Sequence, residues 1–345
     1  MEKPDIRALD AAQLADALHS WPAFRARQVA DWLQKGTPFA QMSNLPVDLR
    51  AYLEEHFSLP GVTVESKLVS ALDGTVKYGF RLPDGERIES VLMSYHHGWS
   101  QCLSTQAGCR MGCAFCATGK DGWRRHLTAG EMLSEIETAQ ADHGVRVSSV
   151  VLMGMGEPLD NYDNVVTFLD RLAAPGGVQI GMRHVSLSTC GLVDRIEQLM
   201  QRNYQLTLSV SLHAPNDEIR DRLMPINRKW PVEPLLRACR EYARVTGRRI
   251  SFEYAMIDGV NDSDACAAEL AARLHGMLCH VNLIPINSVP GMPWRASSRA
   301  RIAAFMRVLE SRGIVVTVRR TLGADIEASC GQLRRRLQQT KEGTA

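Results

Sequence analysis

The sequence predicts an α/β protein: a parallel sheet flanked by helices, preceded by a small helical module and a short β extension. Three observations predict it. Apolar strand-like runs alternate with helical segments from about residue 100 to 320, and repeated strand–helix units imply a parallel sheet with helices outside. Residues 1 to about 58 carry helical spacing. Residues 60 to 100 carry short strand-like runs broken by Asp-Gly pairs. Six or so strand–helix units fit a partial or full barrel better than a short Rossmann sheet.

In the first segment, WPAFRARQVADWLQ puts Phe24, Val29, Trp32 and Leu33 on one helical face, and NLPVDLRAYLEEHF predicts a second helix with Asn44 near its start and Pro46 early in it. In the next, VTVESKLVSALDGTVKYGFRLPDGERIESVLMSY reads as an antiparallel meander turning at Asp73-Gly74 and Asp84-Gly85. The core strands are VSSVVLMG, HVSLSTCG, LTLSVSLH, ISFEYAMI, HVNLIPIN and IVVTVRR. Thr128 and Glu131 form a capping box that starts the first core helix. The polar end, RRRLQQTKEGTA, is expected to fray.

At 345 residues the chain can hold one large domain and a small appendage, and 45% hydrophobic with 23% charged residues is ordinary for a globular protein. A net charge of +2 neither demands nor excludes a nucleic-acid partner, so any such partner must be met by local patches. The start, MEKPDIRALDAAQL, has no apolar h-region, and no apolar run is long enough to cross a bilayer. A cytoplasmic protein without membrane contact is the expectation, and, with no heptad or exposed apolar stripe, a monomer. Nine cysteines, an odd number, argue against a structural disulfide framework.

Three of the nine crowd into eight residues. In CLSTQAGCRMGCAFCATGK, Cys109, Cys113 and Cys116 are spaced C-x3-C-x2-C, which lets one loop wrap a metal centre with soft thiolates. Gly108 and Gly112 permit the tight backbone such a loop needs. Three ligands with no fourth cysteine close by leave a position open for substrate or cofactor. The spacing ranks an iron–sulfur centre first, zinc second and inert thiols third. Cys190, Cys239, Cys266 and Cys279 lie in apolar segments and read as packing residues.

Ligand sites in parallel sheets gather at the carboxyl ends of the strands. There the sequence places Gly154, Gly156 and Glu157 in MGMGEPL, Ser188 in STCG, Ser211 and His213 in SVSLHAPND, and Asn287 in NLIPIN. Glu157 suits an ammonium group; Ser188 and Asn287 suit a carboxylate or a ribose. Each alone reads equally well as loop capping, and their shared position is the better argument.

The cysteine spacing after the first core strand resembles the radical S-adenosylmethionine (SAM) signature. Together with GMGEPL, VSLSTCG, SLHAPNDEIRDRLMPIN, NLIPIN, DIEASCGQL and the N-terminal RQVADWLQK and NLPVDLR, the chain resembles the RlmN/Cfr family of RNA methyltransferases over nearly its whole length. The resemblance implies a radical SAM partial (β/α)6 barrel at 101–325. It adds an N-terminal helical, RNA-binding accessory domain at 1–58, a β-hairpin extension at 59–100 and a C-terminal segment at 326–345. It implies a [4Fe-4S] cluster on Cys109, Cys113 and Cys116, with S-adenosyl-L-methionine contacted by Gly156, Glu157, Ser188, Ser211, Leu212, His213 and Asn287. Cys330 matches the cysteine that accepts a methyl group from one SAM. A deoxyadenosyl radical from a second SAM takes hydrogen from that methyl, and the methylene radical adds to adenine. Glu89, in RIESVLM, matches the proton acceptor, and Cys102 the cysteine that releases the adduct by forming a disulfide with Cys330. The radical route suits a ring carbon that is not nucleophilic, and the cofactor carries the hard step.

The implied partners are 23S rRNA, with adenine 37 of tRNA as a further substrate, and an electron donor such as flavodoxin. Arg124, Arg125 and His126, Arg319 and Arg320, and Arg334, Arg335 and Arg336 are candidate phosphate contacts, a solvated surface being the plainer reading. Trp123 is a stacking or packing residue. The target base must be unstacked to reach a buried site. The stretch PGMPWRASSRARI resembles the RlmN type, favouring adenine C2 over the C8 chemistry of the Cfr type. A third reading, a non-catalytic zinc-containing RNA-binding protein, would be colourless and carry zinc.

Overall fold

The computed structural model describes residues 3–33, 36–120, 122–174, 178–287, 291–329 and 331–333. The chain opens with three helices, α1 (Ala11–Ala17), α2 (Phe24–Leu33) and α3 (Val47–His56). A capping box starts α1: Asp10 accepts from the Gln13 amide and Gln13 accepts from the Asp10 amide, both at 2.8 Å. Leu14, Val29, Leu33, Leu49 and Leu53 form an apolar core of their own. Phe24, expected on that face, is 56% exposed. It is the first residue of α2 and lies under the Arg25 guanidinium instead. Pro46 precedes α3 as its cap, and the Asn44 side chain accepts from the Trp32 indole.

An antiparallel meander follows: β1 (Thr63–Val69), β2 (Val76–Arg81), β3 (Arg87–Tyr95) and β4 (Gly98–Cys102). Its first two turns fall at the Asp-Gly pairs, with Gly74 at φ +73° and Gly85 at φ +88°, a region glycine enters without strain. A small hairpin the sequence pattern did not show comes next. In it β5 (Gln106–Gly108) pairs with β6 (Trp123–His126), enclosing the cysteine loop and a one-turn helix, α4 (Ala117–Lys120).

The remainder alternates strand and helix: α5 (Ala129–His143), β7 (Val147–Leu152), α6 (Tyr162–Leu172), β8 (Val185–Thr189), α7 (Val193–Gln201), β9 (Thr207–Ser211), α8 (Asp217–Leu223), α9 (Val232–Thr246), β10 (Ile250–Met256), α10 (Asp264–Leu274), β11 (Cys279–Pro285), α11 (Arg299–Ser311) and β12 (Val316–Val318). The Thr128–Glu131 capping box starts α5, and Gly144 ends it at φ +69°. Ser263 and Ser298 cap α10 and α11 through the amides of Cys266 and Arg301.

One sheet runs β1-β2-β3-β4-β7-β8-β9-β10-β11-β12, parallel from β4 onward, and among the described residues its two edge strands do not pair. The result is the partial barrel that the sequence predicts, with the meander extending one edge. Strands β9 and β10 are buried along most of their length: Leu208, Val210, Phe252, Tyr254, Val281 and Leu283 lie in the apolar core, with Tyr254 against Phe305 of α11, while alternate residues such as Ser211, Glu253 and Ala255 line the cavity side. The parallel order places the carboxyl ends of β4, β7, β8, β9, β10 and β11 on one rim. No helix among the described residues is long and apolar enough to cross a membrane.

Candidate active site

A cavity of about 980 Å³, mouth included, opens at that rim. Cys109, Cys113 and Cys116 line one wall, and the ends of β7, β8, β9, β10 and β11 line the others. The cysteine loop is fixed from several sides. The Cys109 amide donates to Gly122 O (3.2 Å), the Ala114 amide to Leu223 O (2.9 Å), the Ala117 amide to Gly331 O (2.9 Å), and the Trp294 indole to Ala114 O (2.9 Å). Gly108 has no room for a side chain: a Cβ there would stand 1.9 Å from Gly122 O.

Burial pushes the Cys109 thiol up to about 12 and the Cys113 thiol well above the ordinary thiol range, with neighbouring thiols and carboxylates adding to it. Such thiols lose their protons when a metal takes their place. Among the described residues no three His, Cys, Asp or Glu side chains close on a single-ion site. Three soft donors on one wall of a wider void fit a polynuclear cluster, whose thiolates stand on different irons.

Opposite the cysteines, the turn after β7 is packed against the chain after β4. A Cβ on Gly154 would lie 2.5 Å from Leu103 O, and one on Gly156 would lie 2.8 Å from both Gln106 N and Thr105 Oγ1. These glycines bring the next carboxylate to the cavity. Glu157 is buried, accepting from the Leu159 amide (3.0 Å) and the Cys190 amide (2.7 Å). Burial raises its pKa, and hydrogen bonds from the Cys190 amide and side chain, the Thr189 side chain and the Leu159 amide oppose the rise. Ser188, Ser211 and Asn287 also line the cavity.

His213 lines it from an unusual backbone, φ +57°, held by Asn261, whose amide donates to His213 O (2.7 Å). Its Nδ1 accepts from the Ala255 amide (2.9 Å), and burial together with Arg220 pushes its pKa down to about 3. The ring is therefore neutral, with its hydrogen on Nε2. Leu212 stands apart from the other expected cofactor contacts. Its side chain is fully buried in the apolar core, away from the cavity that Ser211 and His213 line, and only its backbone runs along the rim.

A second cavity, about 770 Å³, adjoins the first through Ile284, Asn287 and Arg319, which line both. Cys102, at the end of β4, lines it, as do Tyr95, Arg320 and Ser329. Cys330 lies outside the described residues, but its two neighbours line the two cavities: Ser329 the second and Gly331 the first. Glu89 is buried in the middle of β3, ion-paired with Lys77 at 2.9 Å.

Three residues of this region had no sequence signal. Glu253, in the middle of β10, lines the first cavity while accepting from Ser251 Oγ and Asn282 Nδ2, both at 2.8 Å. Arg220 sits in DEIRDRL, a helix that reads as solvated, yet is fully buried. It donates to the carbonyls of Cys190 (2.7 Å), Leu212 (3.1 Å) and Ser211 (3.2 Å), tying the ends of β8 and β9 together. Lys77 is the third. Cys190, read as a packing residue, packs against Arg220's neighbours and also lines the cavity. Of the basic groups, Arg125 is engaged by Glu131 and Asp84, Arg124 and Arg320 are exposed, and Arg334, Arg335 and Arg336 lie outside the described residues. Trp123 packs under the Arg110 guanidinium.

The model of the radical SAM superfamily matches residues 103–270. A probable dual-specificity RNA methyltransferase RlmN of Alkaliphilus oremlandii is 48% identical over 97% of this chain and 99% of its own length. One of Pelotomaculum thermopropionicum is 52% identical over 91% of this chain and 86% of its own. The crystal structure of a radical SAM methyltransferase from Sphaerobacter thermophilus superposes with a TM-score of 0.90 at 44% identity, covering 96% of this chain and 99% of that one.

Proposed function

The chain belongs to the RlmN/Cfr family of radical SAM RNA methyltransferases, and from this premise we propose that it methylates carbon 2 of an adenine in 23S rRNA, with adenine 37 of tRNA as a further substrate. The observation that carries the reading is the meeting of three groups: the three cysteines of one loop, the strand-end residues opposite them, and the two neighbours of Cys330 on adjoining cavity walls.

In this reading Cys109, Cys113 and Cys116 hold a [4Fe-4S] cluster, and Gly156, Glu157, Ser188, Ser211, His213 and Asn287, with the backbone of Leu212, hold S-adenosyl-L-methionine. When bound, these groups supply one-electron cleavage of the sulfonium and a radical able to take hydrogen from an unactivated methyl. Cys330 carries that methyl as a thioether, so the carbon to be transferred is fixed to the protein, and the neighbours of Cys330 line the two cavities. The second cavity takes the unstacked base. Glu89 accepts the proton lost from the adenine carbon, and Cys102 attacks the Cys330 sulfur to release the methylated base as the disulfide forms. Neutral His213 donates from Nε2 and adds no positive charge beside the sulfonium. The helical residues 1–58 serve as an RNA-binding accessory, and flavodoxin is the class of electron donor. The protein acts in the cytoplasm.

Anaerobic incubation with unmodified rRNA and tRNA, SAM and a reductant, followed by nucleoside analysis, tests the proposal. It expects 2-methyladenosine. A methyl only at C8 would assign the chain to the Cfr type, and colourless protein with stoichiometric zinc and no methylation would make it a binding protein.

A further inference from the structure

We infer that Lys77 is a positioning residue that joins Glu89 to the turn preceding Cys330, so that proton acceptor and methyl carrier are set in register by one ammonium group. The inference rests on the reading of Glu89 given above.

The Lys77 side chain is buried on β2, where Lys77 pairs with Val91 and Gly79 with Glu89, and it reaches diagonally along the shared face to set Nζ 2.9 Å from Glu89 Oε1. The same Nζ donates to the backbone carbonyl of Glu327 at 3.2 Å. A lysine suits two acceptors from different elements, because its ammonium offers three compact donors. Glu327 stands three residues before Cys330 and has φ +51°, a conformation that costs a non-glycine residue roughly 1–3 kcal/mol unless the surroundings enforce it.

The rest of the hairpin grips the same turn. Ser70 Oγ donates to Asp325 Oδ1 (2.6 Å), the Ala71 amide donates to Asp325 Oδ2 (2.9 Å), and the Gly323 amide donates to Asp73 Oδ2 (2.9 Å). Gly323 fits closely, since a Cβ there would meet Ala328 Cβ at 2.6 Å and Thr75 Cγ2 at 3.1 Å. The β1–β2 hairpin is therefore a clasp on residues 323–329, and through Lys77 it also holds the Glu89 carboxylate. Stability alone does not account for the arrangement. A buried ion pair adds little over an apolar pair of similar volume. A fixed distance between the Glu89 carboxylate and a turn some 240 residues away is what such a group supplies.

The test compares Lys77→Met, Lys77→Arg and Glu89→Gln in the cluster-loaded, full-length protein. With melting temperatures taken first, kcat, KM for RNA and the covalent protein–RNA species on denaturing gels are measured. Lys77→Met should lower kcat about tenfold with KM for RNA unchanged and accumulate the covalent species, as a displaced proton acceptor would. Lys77→Arg should recover part of kcat. Wild-type kcat in Lys77→Met, or a raised KM at wild-type kcat, overturns the inference. Should Lys77→Met fail to fold, Asp325→Ala at the exposed end of the clasp carries the test: it should lower kcat without altering KM, and unchanged kcat overturns the inference. Glu89→Gln separates the two ideas. If it turns over normally, the assignment of Glu89 fails. If it is inactive while Lys77→Met is normal, only the role of Lys77 fails.

Discussion

Replacing Gly156 by alanine isolates how tightly the turn after β7 must approach the chain after β4. Gly156 has φ +109°, which costs an alanine roughly 1–3 kcal/mol. The new Cβ would lie 2.8 Å from Gln106 N, Gln106 Cβ and Thr105 Oγ1. These atoms cannot yield easily. The amides of Thr105 and Gln106 both donate to Met155 O, at 2.8 and 3.2 Å, and Gln106 Oε1 accepts from the Glu157 amide at 2.8 Å. Overpacking of this kind costs about 1–3 kcal/mol more. The total is about 2–6 kcal/mol, and whatever the turn does to relax moves Glu157 away from the cavity. Gly74→Ala is the control. Its φ is +73° and nothing lies within 4 Å of the added Cβ, so it carries backbone strain of about 1–2 kcal/mol without a clash. The assay is urea unfolding of both variants, compared at equal m, with SAM affinity of the cluster-loaded proteins measured alongside. If Gly156→Ala loses no more stability than Gly74→Ala, or keeps wild-type SAM affinity, the close approach is not what holds the site.

His213, with its pKa pushed down to about 3, remains unprotonated in the fold where the unfolded chain takes up a proton near its ordinary 6.5. It therefore contributes stability that is present above about pH 6.5 and is lost as pH falls, by up to about 1.4 kcal/mol per unit. His213→Gln should remove that slope from urea unfolding between about pH 7 and 5, and an unchanged slope would show that the ring titrates in the fold as it does in the unfolded chain. Glu135 has the opposite sign. Burial raises its carboxyl well above the ordinary range, with the Ser104 amide at 3.2 Å opposing, so wild-type stability falls as pH rises through its folded pKa. Glu135→Gln should gain melting temperature over wild type from about pH 5 to 8, and a constant difference would refute this. Arg220→Lys leaves a point charge where a fork met the carbonyls of Cys190, Ser211 and Leu212. It should cost about 2 kcal/mol or more in urea unfolding, whereas wild-type stability would mean the fork is dispensable. Cys102→Ala should trap a covalent protein–RNA species and Cys330→Ala should give neither adduct nor methylated RNA; clean turnover by either removes its assigned role.

Much of this was legible in the sequence because it rests on neighbours within one turn or one strand. The Asp-Gly pairs specify the meander's turns, Thr128 and Glu131 start α5 through bonds three residues apart, and the cysteine spacing marks the loop at the first cavity. The parallel order follows from strand–helix alternation, and with it the gathering of Glu157, Ser188, Ser211, His213 and Asn287 at one rim. Periodicity failed where a residue sat at the end of its pattern, as Phe24 does, or where the pattern hid a burial, as the charged run around Arg220 does. The tertiary structure alone decided that Leu212 turns inward, that Arg220 ties two strand ends beneath the cavity, and that the hairpin at Ser70 and Lys77 reaches Asp325 and Glu327 across separations of 255 and 250 residues. Those contacts depend on where the sheet carries each strand end. A one-dimensional pattern records what a residue is and who its neighbours are, and it leaves open which distant carbonyl or carboxylate the fold will set beside it.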